Sequence, residues 1–234
     1  MQTYEISGHE PSFLPEGSKW KLVWSDEFDG TELDRTKWGF RLNFWGRRFK
    51  PYTEEGIVLD GKSNLEIHLL EKDGHYYSAQ LQTGANSFDA PVVKQDNPWG
   101  QHDIWPLGTI EKPKFMHRYG YYEVRCKFQK QPGWWSAFWL QSPSIGTAYE
   151  PTYCGIECDI IECFKSGTVT SGNIFGGYGK QFKEEARIKY ELDGGPDRWH
   201  RFGVEWSEKG YRFMCDGRET ARAENHVSKI EQFI

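Results

Sequence analysis

Residues 155 to 163 read G-I-E-C-D-I-I-E-C and place three carboxylates, Glu157, Asp159 and Glu162, in a run otherwise composed like a buried strand. Like charges at this spacing repel one another, so a cation, a shared proton or a reaction must accompany them. Glycoside hydrolysis uses such a set: one carboxylate attacks the anomeric carbon and a second carboxyl protonates the leaving oxygen. A third can hydrogen-bond a neighbouring glutamate and help keep the acid protonated while the nucleophile is ionised. Two other readings compete at this level, a calcium site built from several carboxylates and a solvated acidic face.

Parity constrains the set further. Under strict strand alternation Glu157 and Asp159 share one face, and Glu162 falls on the other among Ile156, Cys158 and Ile160. One extra residue at Ile160-Ile161, a β-bulge, returns Glu162 to the face of Glu157 and Asp159. The opposite face then reads Ile156, Cys158, an isoleucine and Cys163, apolar throughout. Across the bulge the two glutamates are about four strand steps apart, on the order of 13 Å between Cα atoms. Long side chains leaning into a concave face are needed to bring the carboxyls to the ~5 to 5.5 Å of a retaining site. In the run from Trp134 to Leu140, Trp135, Ala137 and Trp139 fall on one face. A pair of indoles two steps apart forms a platform for sugar rings, while burial in a sandwich core is the competing role for large aromatics.

The elements that must position these residues are strands. The chain has 234 residues, 37% hydrophobic and 16% aromatic, with 25 glycines, which suits one domain of many short strands joined by tight turns. Segments Leu65 to Leu70, Gly120 to Phe128, Trp134 to Leu140, Gly155 to Cys163, His200 to Trp206 and Tyr211 to Cys215 have strand composition. Turn signals separate them at Asp60-Gly61, Asp73-Gly74, Asp193-Gly194-Gly195 and Asp216-Gly217. This pattern predicts a sandwich of antiparallel sheets. Residues 1–18, with Pro11, Pro15 and Gly17, form an N-terminal arm laid on the domain, and 218–232 carries a weak helical pattern. Residues 86–113, with Pro91, Pro98, Trp99, Trp105, Pro106 and Pro113, form a long irregular insertion that could wall a cleft or cap the arm.

Composition also excludes functions. A net charge of -5 with interspersed signs leaves no basic stripe for nucleic acid, and no apolar run is long enough to span a membrane. The five cysteines cannot all pair within the chain and show no CxxC pattern, so they read as buried thiols. The opening M-Q-T-Y-E-I-S-G-H-E-P has neither the basic nor the apolar region of a secretory signal.

The stretch E-C-D-I-I-E at 157–162 resembles the bulged E-x-D-x-x-E signature of glycoside hydrolase family 16, of the laminarinase and agarase kind. Further segments agree in order: W-K-L-V-W-S-D-E-F-D-G at 20–30, Y-G-Y-Y-E-V-R at 119–125, G-W-W-S-A-F-W-L at 133–140 and W-H-R-F-G-V-E-W at 199–206. These matches cover most of residues 19–217. The resemblance implies an all-β, concanavalin-like β-jelly roll with a substrate cleft on the concave sheet, and residues 19–234 as the catalytic domain. It implies Glu157 as nucleophile, Asp159 as assisting carboxylate and Glu162 as general acid/base, with retention of configuration. Trp135 and Trp139 match a pair beside the subsite of the cleaved sugar, and Asn43 and Trp45 fall where related enzymes have a cleft loop.

Departures from the family pattern qualify the substrate. Phe175, in S-G-N-I-F-G-G-Y-G at 171–179, stands where many members carry a cleft histidine. The chain stops at Glu231-Gln232-Phe233-Ile234 without the family's V-D-Y-V-R-V-Y-like strand, so calcium ligands that some members draw from it are unassigned. No cofactor is required for the reaction. The expected activity is endo-hydrolysis of a β-1,3 or mixed-linkage glucan, with a galactan such as agar or porphyran second, because only Arg47 and Arg48 hint at sulfate recognition. A lectin-like binding module and a transglycosylase are the alternatives. The expected partner is a polysaccharide met by a monomer, with a secreted or periplasmic location implied by the resemblance.

Overall fold

The computed structural model describes residues 2–89, 104–165 and 167–234. Trp99, Pro91 and Pro98 of the insertion lie outside these residues.

Two four-stranded antiparallel sheets form the sandwich that the turn spacing predicts. Before them the chain makes short two-stranded ribbons. The arm folds as β1 (Gln2–Tyr4) with β2 (Ser12–Leu14). Then follow β3 (Gly39–Phe40), β4 (Asn43–Phe44), β5 (Arg47–Arg48), β6 (Ile57–Leu59), β7 (Leu65–Ile67), β8 (Leu70–Lys72), β9 (His75–Tyr77) and β10 (Leu81–Gln82). Their pairings are β4 with β5, β6 with β7, β8 with β9, and β10 with β3. The single strand expected over Leu65 to Leu70 is therefore two, β7 and β8.

The sheet strands follow a 3-10 turn at Ser87–Asp89: β11 (Gly120–Cys126), β12 (Ser136–Gln141), then a short helix α1 (Pro151–Cys154). The rest are β13 (Glu157–Lys165), β14 (Thr168–Phe175), β15 (Lys183–Glu191), β16 (His200–Ser207), β17 (Gly210–Cys215) and β18 (Arg218–Ala223). One sheet has the order β11-β16-β17-β18 and the other β12-β13-β14-β15.

The helical pattern over 218–232 is overturned. Asp216 and Gly217 have φ 48° and 75°, the left-handed pair that closes a tight hairpin. R-E-T-A-R-A therefore continues as strand β18 against β17. At the end of the chain Gln232 bridges to His117, and Phe233 bridges to Gln141 at the end of β12.

The core is what the apolar alternate face of β13 requires. Leu140, Cys158, Ile160, Ile161, Cys163, Val169 and Phe175 from one sheet meet Tyr122, Phe202, Val204, Trp206, Tyr211 and Phe213 from the other. Each large apolar side chain buried here contributes roughly 1.5–3 kcal/mol. All five cysteines are free thiols, and burial pushes Cys215 up to about 12. The arm lies over the other side of β11 and β16. There the Phe13 backbone N–H donates to Glu123, Arg201 pairs with Glu123 at 2.6 Å, and Arg201 also donates to the Glu10 carbonyl. No helix among the described residues is long and apolar enough to cross a membrane.

Candidate active site

The strand that carries the acids is set by its entry and its bulge. Gly155, after α1, has φ 77°, and a Cβ there would stand 1.9 Å from Ser142 Oγ. Only glycine lets the chain turn so closely under β12 before running into β13. Along β13, Ala137 faces Glu162, Phe138 faces Ile161, Trp139 faces Asp159 and Gln141 faces Glu157. Ile160 is thus the extra residue, and the register with β14 shifts at the same place, between Asp159 and Glu162. Ser171 Oγ donates to the Ile160 carbonyl at 2.8 Å, giving a partner to a backbone group at the break in the ladder. Cys158, Ile160, Ile161 and Cys163 are buried in the core, and the three carboxylates lie together on the other face, as the parity argument predicts.

The two glutamates have different surroundings. Glu157 Oε2 accepts hydrogen bonds from the Tyr178 hydroxyl and from Gln141 Nε2 at 3.0 Å. Gln141 also donates to the Tyr178 oxygen and accepts from Asn86 Nδ2. Behind them the buried Arg41–Asp89 pair closes at 2.6 Å. Burial pushes the Glu157 carboxyl up to about 7; the Tyr178 hydrogen bond opposes this, the Glu162 charge adds to it, and Arg41 and Arg187 oppose it. Tyr178 itself is raised by burial and by the Glu157 charge, so it remains a donor.

Glu162 instead accepts from Trp135 Nε1 at 3.0 Å and from Thr170 Oγ1 at 3.4 Å, and pairs with Arg187 Nη2 at 2.5 Å. Arg187 Nη1 reaches Asp159 at 2.7 Å, so Arg187, rather than the expected carboxyl–carboxyl hydrogen bond, joins Asp159 to Glu162. Asp159 is raised well above the usual carboxylate range by burial and then by the charges of Glu157 and Glu162, with Arg187 opposing. Burial and mutual repulsion thus make a shared proton easier to keep within this carboxylate set than on a solvated acid.

The other sequence candidates are distributed around this centre. Trp135 is 71% exposed beside Glu162 and stacks obliquely on Phe164 at 5.0 Å. Trp139 lies beside Asp159 and lines a narrow recess with Arg41, Gln82, Gln141 and Phe233. Asn43 is half-buried, opposite Arg48 in the β4–β5 hairpin.

Trp45 does not offer its ring to a ligand. At φ 55° it forms the hairpin turn with Gly46, and its indole is buried against Phe88 and Trp105 at 4.8 and 4.5 Å. Its edge contact with Tyr178, 5.7 Å between centroids, makes it a backing for the Glu157 donor. Trp105 from the insertion belongs to this same buried cluster. Phe175 points into the core and stacks on His226, so Tyr178, three residues later, is the ring from that segment that reaches the acids.

Gln141, Tyr178 and Arg187 are the site residues that sequence reasoning missed. Gln141 alone carried a signal, being next in the alternation after Trp135, Ala137 and Trp139. Among the described residues, His200, Cys215 and Asp216 lie close enough to share a metal ion. Their imidazole and thiol are not calcium ligands, and the His200 ring nitrogens already contact Asp216 and the Gly195 carbonyl.

Known proteins resemble this chain in sequence and in fold. The chain is 24% identical to "Glucan endo-1,3-beta-glucosidase A1" of Niallia circulans over 84% of its own length and 28% of that protein. It is 30% identical to "Keratan-sulfate endo-1,4-beta-galactosidase" of Sphingobacterium multivorum over 68% of its own length and 32% of that protein. It thus spans about a third or less of either. Among solved structures, a GlcNAcα1-4Gal releasing endo-β-galactosidase from Clostridium perfringens superposes with TM-score 0.68 at 20% identity, over 93% of this chain and 55% of that one. The family model described as "Glycosyl hydrolases family 16" matches residues 75–233, a span that includes all three carboxylates and their partners Trp135, Gln141, Tyr178 and Arg187, and the chain belongs to that family.

Proposed function

We propose that this protein is an endo-acting, retaining glycoside hydrolase of β-linked polysaccharides. The observation that carries the reading is the gathering of Glu157, Asp159 and Glu162 on one face of β13, with Trp135 exposed beside them. Glu157, held by neutral donors, attacks the anomeric carbon as Glu162 passes its proton to the departing glycosidic oxygen. The leaving sugar departs, and a glycosyl ester remains on Glu157. Glu162, now a base, takes a proton from water as the water oxygen bonds to the anomeric carbon and displaces Glu157 as a carboxylate, a second inversion that gives net retention. Work on a polymer too large to enter a cell supports a location outside the cytoplasmic membrane for this activity.

A β-1,3 or mixed-linkage glucan is favoured over a sulfated galactan. Arg48 spends its guanidinium on the carbonyls of Leu42, Phe49 and Tyr52. Arg41 is buried on Asp89, and Arg187 is divided among carboxylates. The second reading, a β-galactan, is favoured by the identity shared with the keratan-sulfate galactosidase. A panel of β-glucans and β-galactans, read by product mass and linkage, decides between them. Short oligosaccharides from glucan support the first reading, and products from galactan alone the second. Saturable binding without new reducing ends would leave a lectin-like module, and longer products with excess acceptor would reveal transglycosylation. Full hydrolysis by Glu157→Ala would overturn the assignment of roles.

A further inference from the structure

Three features of β14 and β15 converge on Arg187, which the two-carboxylate scheme does not use. The register shifts between Ser171 and Asn173, so that Ala186 and Arg187 together oppose Gly172. Ala186 has φ 53°, and a bulge with a left-handed residue turns the next side chain out of strict alternation. A Cβ on Gly172 would stand 3.0 Å from Arg187 Cα and 3.1 Å from its Cδ. The arginine stem therefore crosses β14 where that strand has no side chain, and beyond Gly172 lies its β13 partner, Asp159. The guanidinium divides its nitrogens between Asp159, Glu162 and, through Nε at 3.2 Å, Glu184. The Asp159 and Glu162 side chains are 3% and 5% exposed, so solvent screens these contacts little. A planar fork can hold two separate carboxylates at once, which a lysine ammonium does less well.

We propose that Arg187 is a positioning residue for the acid/base: it fixes Glu162 on the leaving-group side and sets the upper pH limit of the reaction. The inference rests on Glu162 being the acid/base. The charged and titratable groups around the set are Glu157 on β13 itself, Glu184 on β15, and Tyr178, with Arg41 and Asp89 behind it and Lys189 paired across from Thr170. Thr170 on β14 and Trp135 on β12 add donors without charge. Once Glu162 has passed its proton to the departing oxygen it is an anion beside Arg187, and it remains so until it deprotonates the incoming water. The cation thus stabilises the state between the two displacements, and without it the carboxylate set holds its reacting proton more tightly.

The test compares kcat/KM against pH for the wild type, Arg187→Met and Arg187→Lys. Two substrates are used: the best polysaccharide, and an aryl β-glycoside whose phenolate leaves without a proton. Arg187→Met is expected to move the alkaline limb up by about one pH unit or more. It is expected to lower polysaccharide turnover at the wild-type optimum by about 10²-fold, with a much smaller loss on the aryl glycoside. Arg187→Lys, which restores the charge without the fork, returns part of the limb. Equal losses on both substrates with an unmoved limb overturn the proposal. NMR titration of carboxyl-labelled Asp and Glu in the wild type and Arg187→Met reads the same displacement without turnover. A wild type inactive on every glycan would refute the hydrolase reading, while an unchanged carboxyl titration would refute the role of Arg187.

Discussion

Glu157 and Glu162 sit on one face of one strand and resemble each other in sequence, yet their surroundings are opposite in kind. At the Glu157 end the partners are neutral donors, Tyr178 and Gln141, locked by Asn86 and backed by the buried rings of Trp45, Phe88 and Trp105. At the Glu162 end the partners are a guanidinium and the N–H of a largely exposed indole. A carboxylate held by fixed neutral dipoles is aimed, which suits attack at one carbon. One that sits beside a cation is stabilised as an anion after it gives up its proton and can then take another, which suits acid/base work. On the proposed assignment, identical side chains are divided into two roles by the elements packed on either side of β13.

The largest expected effect tests the Glu157 end. Glu157→Ala should lower hydrolysis by about 10⁴-fold or more on polysaccharide and aryl glycoside alike, because the covalent step itself is lost. Glu162→Ala should separate the ends: about 10²- to 10⁴-fold loss on polysaccharide, and a far smaller loss in the first step on an aryl glycoside, measured as a burst of released phenol. Equal losses from both variants on both substrates would erase the distinction.

Gly172→Ala probes the Glu162 end through backbone. Its φ of 154° and the 3.0 Å approach to Arg187 Cα leave no room for a methyl group, so a loss of about 1–3 kcal/mol is expected in denaturant unfolding. Tyr178→Phe sharpens the other end. A hydrogen bond to the ionised form lowers a pKa, so removing it raises Glu157 above about 7. The acid limb of kcat/KM should then move up by about one pH unit.

The smallest effect is on the pH dependence of stability. A carboxyl raised on folding binds its proton more tightly folded than unfolded, so its contribution is complete below the unfolded value near 4.5 and is lost as pH rises through about 7. The wild-type Tm should fall across that window, and Glu157→Gln, with no charge to bury, should flatten part of the fall.

The acidic strand was legible because strand alternation has a period of two, and the charges could share a face only if one residue were extra. Cys158 and Cys163 in the core and the break at Ile160 follow from that sorting alone. The first third of the domain was less legible. Its strands are two or three residues long, too short for alternation to register, and they are held by pairings such as β10 with β3, whose partners are distant in sequence. Trp45 falls where the resemblance places a cleft loop, but it turns inward because Phe88 and Trp105 approach from another part of the chain.

By itself, then, the sequence determined the identity of the three acids, their common face and the all-β class, since local periodicity and side-chain polarity are properties of contiguous residues. The tertiary structure alone decided which partner each acid has. Tyr178 and Arg187 lie 21 and 25 residues from the glutamates they serve, and neither stands in a pattern that marks it. Arg187 reaches the site because a glycine on β14 and a left-handed alanine on β15 let its backbone come close, and Tyr178 follows Gly177, whose close approach to Gly146 only a glycine permits.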